Sequence, residues 1–229
     1  MPDHTHHTHD PWPDRPPPVT RAEEEKETAR LEAFSDGVFA IAITLLVLEL
    51  KVPHVEEGGS LSRRLLEQWP SYLAYLTSFA SIGIMWLNHH LVFQLVRRVD
   101  RMLLVLNGIL LLTISVVPFP TSLVASYLGH PGEKLAAVVY AGASIPIAIF
   151  YNLLWRYVSS PRRKPSMLRV PLDDPRVTSI HHQYRFGPVI YAVAVGLSMF
   201  SAVAGVALCL ALALFFLLPY PVRWRRDEE

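Results

Sequence analysis

The sequence predicts an all-α integral membrane protein with six membrane-crossing helices per subunit and both termini in the cytosol. Three observations carry that prediction. Hydrophobic residues make up 51% of the 229 residues and charged ones only 18%, below the ~25% of an ordinary soluble domain. The charges are also poorly mixed: 31 consecutive residues between Arg101 and Glu133, and 37 between Arg185 and Arg223, carry no Asp, Glu, Lys or Arg. Such runs are expected where the solvent is lipid. Third, six crossings with a cytosolic N-terminus put 17 of the 21 Lys and Arg residues inside and 4 outside, as the positive-inside rule asks. Five crossings would strand the C-terminal Arg-rich end outside. A soluble single domain is excluded. A formal net charge of +1 argues against a nucleic-acid partner. The single cysteine, Cys209, allows no internal disulfide, and the polar, Pro-rich start shows no signal peptide.

The elements follow in order. Residues 1–20, with six prolines and four histidines, read as a disordered tail. His4, His6, His7 and His9 have nothing to fix a metal geometry, so no metal site is expected. Thr20 to Ala33 is rich in helix formers with Glu–Lys and Glu–Arg pairs, and reads as a cytosolic lead-in to the first span. Within a six-span unit over 21–222, the spans are expected at about 34–52, 71–95, 102–127, 135–156, 186–201 and 204–220. The final apolar run of 37 residues would extend about 56 Å as one helix, too long for a ~30 Å hydrocarbon core, so it is split near 201–205. Pro118–Pro120 and Pro146 mark kinks or span ends. Trp69, Tyr72, Trp155, Tyr157, Tyr220 and Trp224 fall near span ends, as interfacial aromatics do. A charged cytosolic tail occupies 223–229. The loop over 156–185 contains PRRKP; topology determination explains its charge, with contact to anionic headgroups as the other reading.

The first span is unusual. Asp36 and Glu49 bracket only 12 uncharged residues, against the ~20 that a lipid-facing helix needs, so it belongs inside a bundle or beside water. On a helical wheel Gly37, Ile41, Leu45 and Leu48 form one stripe with Thr44 at its shoulder, and Asp36 points to the opposite side. Two readings stand for that stripe: ordinary helix packing, and a symmetric pore in which Ile41, Leu45 and Leu48 make a hydrophobic constriction. Asp36 needs a partner in either case. The end of the second span carries Trp86, Asn88, His89 and His90 on the same side, so Arg30, Asp36 and one of the histidines are expected to meet. The alternative is a helix cap by Ser35 or Asp36.

The run R-x-x-x-F-S-D, formed by Arg30, Phe34, Ser35 and Asp36 and followed by GVFAIAITLLVLEL, resembles the signature of the transmembrane-protein-175 family of endosomal and lysosomal potassium channels. The chain is similar to its single-repeat prokaryotic branch over about residues 26–220. That resemblance implies no reentrant pore loop, a homotetramer of six-span subunits in the lipid bilayer, and a pore lined by the first span. It implies a constriction at Ile41, Leu45 and Leu48, and potassium preference supported by Thr44. It also implies a network of Arg30, Phe34, Ser35, Asp36, Trp86, Asn88 and His89 or His90 holding the pore helix. Glu49 would concentrate cations at the outer mouth or pair with Lys51.

No T-V-G-Y-G filter run occurs, and no Walker loop, G-x-S-x-G or H-E-x-x-H. Adjacent histidines point about 100° apart on a helix and cannot share a metal as an i, i+4 pair does, so an enzyme is not expected. No cofactor is expected beyond the permeant potassium ion and other monovalent cations, and a prokaryotic plasma membrane is the expected location. A secondary transporter coupled through Asp36 and the histidines is the runner-up, with a non-conducting scaffold third.

Overall fold

The computed structural model describes residues 20–55, 58–162 and 166–217. The tail before Thr20, the end of the sixth expected span, and Tyr220 and Trp224 lie outside the described residues. The described residues form eight α-helices in chain order: α1 (Arg21–Leu45), α2 (Leu61–Glu67), α3 (Trp69–Leu95), α4 (Arg101–Ser115), α5 (Pro118–Tyr127), α6 (Glu133–Val158), α7 (Pro175–Phe200) and α8 (Ala202–Leu217). A 3₁₀ turn, Leu46–Glu49, extends α1. The described residues contain no strand, only an isolated bridge between Val96 and Leu168.

Among them, three helical stretches are long and apolar enough to cross a membrane: Arg21–Glu49, Arg101–Tyr127 and Glu133–Val158. Ala202–Leu217 is a shorter apolar helix. α3 and α7 have the length, but α3 carries Asn88, His89, His90 and Gln94, and α7 opens on the polar run RVTSIHHQYR.

Local chemistry explains the boundaries. Thr20 and Glu23 form a reciprocal capping box at the start of α1, satisfying two orphan donors. The lead-in and the first span are therefore one helix, and neither Ser35 nor Asp36 caps it. Asp100 caps α4 through the backbone N–H of Leu103, and Pro118 opens α5 at a first-turn position, where its missing N–H costs nothing. The expected third span is thus two helices in series. Gly132, at φ 98°, takes the left-handed conformation that turns the chain into α6. The last apolar run breaks at Ser201, which has an extended backbone. Gly205 lets α8 fold back on α7, since a Cβ there would collide with Ser198.

α6 lies at the centre, packed against α4, α5, α7 and α8, while α1 sits at the edge on α3 and α4. One apolar core joins α1, α3, α4, α6, the start of α7 and the 167–168 segment, and a second joins α3, α5, α6, α7 and α8. Two expectations are corrected. Trp155 is 1% exposed and belongs to the core, not to an interfacial belt. α7 starts at Pro175, so the polar residues before the expected fifth span are helical, helped by the Asp174 side chain accepting the Arg176 N–H at 2.8 Å.

Candidate functional site: the first helix and its anchors

α1 has two unlike faces. Thr28, Leu31, Ser35, Phe39, Ala42 and, in the 3₁₀ turn, Leu46 are buried, at the 3–4 residue spacing of one helix face. The other face leaves Phe34, Ile41, Leu45 and Leu48 exposed, at 64%, 61%, 42% and 67%, with Gly37 and Thr44 beside them. The uniform wheel needs one correction. Beyond Leu45 the backbone tightens to 3₁₀ geometry, where residues i and i+3 eclipse, so Leu48 lies almost over Leu45. Thr44 donates its hydroxyl to the Ile41 carbonyl at 2.9 Å, leaving its oxygen lone pairs outward.

The buried face is tied by a directed chain of hydrogen bonds. Ser35 Oγ donates to the Leu31 carbonyl at 2.9 Å and accepts from Asn107 Nδ2 at 2.9 Å. Asn107 Oδ1 lies 2.8 Å from His89 Nε2. Since the Asn107 amide nitrogen already donates, its oxygen must accept, so His89 carries its proton on Nε2. Ser35, Asn107 and His89 are fully buried. The imidazole stacks on Phe93 with centroids 4.3 Å apart and meets Phe39 edge-on at 5.3 Å. Helices α1, α3 and α4 are thereby locked in one register.

Two further contacts hold the same stretch. Trp86 Nε1 donates to Asp36 Oδ1 at 2.9 Å. His90 Nδ1 lies 2.6 Å from Glu32 Oε1, and His90 Nε2 lies 2.9 Å from Gln94 Nε2. These contacts correct the expected meeting of Arg30, Asp36 and a histidine. Asp36 is hydrogen-bonded to Trp86, His89 reaches Ser35 through Asn107, and His90 faces Glu32. Arg30 is exposed with no hydrogen bond or ion pair among the described residues. Asn88 turns away from α1, donating to the carbonyls of Ile84 (2.9 Å) and Phe216 (3.4 Å). Glu49 forms no ion pair with Lys51 among the described residues.

Sequence reasoning missed Asn107, Glu32 and Gln94. Asn107 had a signal: it is the one amide side chain in the uncharged stretch after Arg101, and a polar residue in such a run calls for a partner. Glu32 had a weaker one, as a carboxylate one turn before Asp36.

The described residues contain no cluster of three or more metal-ligating side chains. The arrangement of α1 offers a braced helix with an unpartnered apolar face.

Comparison with known proteins points the same way. The family described as endosomal/lysosomal potassium channel TMEM175 matches residues 30–118. A potassium channel of Chamaesiphon minutus is 51% identical over 202 residues, covering 87% of this chain and 98% of the relative. The crystal structure of a lysosomal potassium-selective channel TMEM175 homologue from Chamaesiphon minutus superposes with a TM-score of 0.75 at 51% identity, over 84% of this chain and 97% of that one. The human endosomal/lysosomal proton channel TMEM175 is 34% identical over 135 residues, 55% of this chain but 27% of the human protein. These relatives are ion channels of membranes, not enzymes. At 51% identity over 87% of its length to one of them, the chain belongs to the TMEM175 channel family.

Proposed function

We propose that the chain is the subunit of a homotetrameric, potassium-preferring monovalent cation channel of a bacterial plasma membrane. Each subunit crosses the bilayer six times, through α1, α3, α4 with α5, α6, α7 and α8, with both termini cytosolic. Four copies of α1 line the pore. Ile41, Leu45 and Leu48 form its hydrophobic constriction, Thr44 presents hydroxyl oxygens to passing cations, and Glu49 concentrates cations at the outer mouth.

The observation that carries this reading is the exposed stripe on α1. Of the three long apolar stretches, the one containing α1 is the least buried, at 22% against 33% for each of the others, although Ser35 and Asp36 tie it to α4 and α3. A helix held this firmly on one side, with its apolar stripe left uncovered, suits a role in which that stripe meets symmetry mates around a water-filled axis. Selectivity from an apolar ring and nearby hydroxyls would be modest, because no carbonyl cage replaces the ion's hydration shell.

The test is the reversal potential of the purified protein in planar bilayers with potassium on one side and sodium on the other. Passive current reversing towards the potassium equilibrium potential supports the reading. Flux that saturates and requires a coupling ion would replace it with a transporter. One relative is named a proton channel, and an apolar ring does not by itself exclude protons. The same bilayers should therefore be tested with a pH gradient, where a reversal that follows pH would make protons the principal permeant ion.

A further inference from the structure

At the N-terminal end of α1, three segments converge. Arg97, in the α3–α4 linker, donates from Nε to Glu24 Oε2 at 3.1 Å, and Thr28 Oγ1 reaches the Arg97 carbonyl at 3.5 Å. The 166–170 segment pairs with the same linker: Arg97 N–H donates to the Met167 carbonyl at 2.7 Å, and Arg169 N–H to the Leu95 carbonyl at 2.8 Å. Arg169 Nε donates to the Val96 carbonyl at 2.9 Å. Between these segments lies a cleft of about 210 Å³ lined by Arg21, Glu25, Arg97 and Arg169. That is several times the ~30 Å³ share of one water in the liquid.

The three guanidinium groups share one feature. Each is fixed through Nε, by Glu25, Glu24 and the Val96 carbonyl respectively. Among the described residues, no hydrogen bond occupies their terminal Nη atoms. Glu25 Oε1 lies 3.1 Å from Arg21 Nε and 3.8 Å from Arg169 Nη1, so a carboxylate of the chain itself sits where an external oxyanion would bind. Three cations face two carboxylates, Glu24 and Glu25, and Glu24 is engaged by Arg97.

We infer that this cleft is a binding site for a phosphate group, held by the terminal nitrogens of Arg97 and Arg169 with Arg21 at the rim, in competition with Glu25. Fixed guanidinium forks match phosphate geometry, and the site joins the helix that carries the proposed pore face to two loops. It lies 11 residues N-terminal to Asp36 on α1, about 16 Å along the helix axis. The phosphate comes either from a lipid headgroup at the cytosolic surface or from a soluble phosphate compound. The inference does not depend on ion conduction.

The test uses the purified full-length protein in detergent, with thermal unfolding followed during titration of inorganic phosphate, dioctanoyl phosphatidic acid, and dioctanoyl phosphatidylcholine as the net-neutral control. Saturable stabilisation by phosphate or by phosphatidic acid, and not by phosphatidylcholine, is expected, and the better ligand of the two identifies the source. Arg97→Gln and Arg169→Gln should each weaken binding at least tenfold. Because both arginines also brace loops, Glu25→Gln provides an independent reading: removing the competing carboxylate should tighten binding several-fold. The inference is overturned if neither phosphate ligand binds the native protein, or if Glu25→Gln leaves the affinity unchanged or lowers it.

Discussion

The two faces of α1 invert the pattern of a water-soluble helix. Its buried face carries Thr28 and Ser35 among the apolar residues and meets His89 and Asn107. Its exposed face carries Phe34, Ile41, Leu45 and Leu48. In water that division would be costly on both sides. In a bilayer, apolar side chains gain little by leaving lipid for protein, whereas each polar group must find a partner within the fold. The hydrogen-bonding face thus fixes where the helix sits, and the apolar face is left free to meet lipid, a symmetry mate or a hydrated pore.

Perturbing each face in turn should break that contrast by different amounts. The largest effect is expected from Asn107→Leu, which leaves the buried His89 Nε2–H without an acceptor and takes one of two hydrogen bonds from Ser35 Oγ, whose hydroxyl keeps the Leu31 carbonyl. A buried donor left unpaired costs roughly 1–3 kcal/mol, so the unfolding temperature in detergent should fall sharply. Trp86→Phe removes a single hydrogen bond to the Asp36 carboxylate. It should cost about 1.5 kcal/mol, the low end for a charged acceptor, because Asp36 is only half-buried. Size-exclusion profiles should show more dissociated subunit for this variant and for Asp36→Asn, with the potassium/sodium reversal potential of the intact assembly unchanged.

Leu45→Ala acts on the other face. A core leucine would cost roughly 2–5 kcal/mol, whereas this partly exposed one should cost under about 1 kcal/mol in the thermal melt and raise sodium permeation in bilayers. The smallest effect is expected far from α1. The Arg176 guanidinium, hydrogen-bonded to Asp174 at 2.8 Å and 3.0 Å, holds the Asp174 carboxyl below its usual range. A depressed carboxyl pKa stabilises the fold above the ordinary carboxylate pKa, and that gain is lost as pH falls through the lowered value. Asparagine caps a helix as well as aspartate, so Asp174→Asn should cost only the screened ion pair, under about 0.5 kcal/mol at neutral pH, and nothing once acid has protonated the native carboxyl, as read from melts of both proteins across pH 2–7.

Much of this architecture is legible in the residues. Uncharged runs and the scatter of Arg and Lys suffice for an all-helical membrane protein, and the R-x-x-x-F-S-D run suffices for the family. The wheel grouped the stripe of α1 because helical period is a local property. What it lacked was the switch to 3₁₀ geometry at Leu46, which depends on packing against α3 and α5. The anchors were legible only as a set of candidates. Charge complementarity suggested Arg30 for Asp36, yet an indole N–H satisfies the carboxylate. The histidine reaches the motif through an amide 18 residues further along the chain. Long-range pairing of this kind is decided by helix register, which no local pattern encodes. Trp155 shows the same limit: a tryptophan near a span end reads as interfacial until the neighbouring helices are seen to cover it.

The central claim is that the exposed face of α1 lines the conduction path, and cysteine accessibility tests it directly. The single native cysteine, Cys209, is 2% exposed, so the native protein should give little background. Leu45→Cys, at an exposed position of α1, and Ala42→Cys, at a buried one, would be treated with a charged thiosulfonate reagent during single-channel recording. The account predicts that current through the Leu45→Cys channel is blocked, and that the Ala42→Cys channel is unaffected because that position is 1% exposed. Full labelling of Leu45→Cys with no change in current would contradict it, and would return the stripe on α1 to the lipid or to a subunit contact away from the pore.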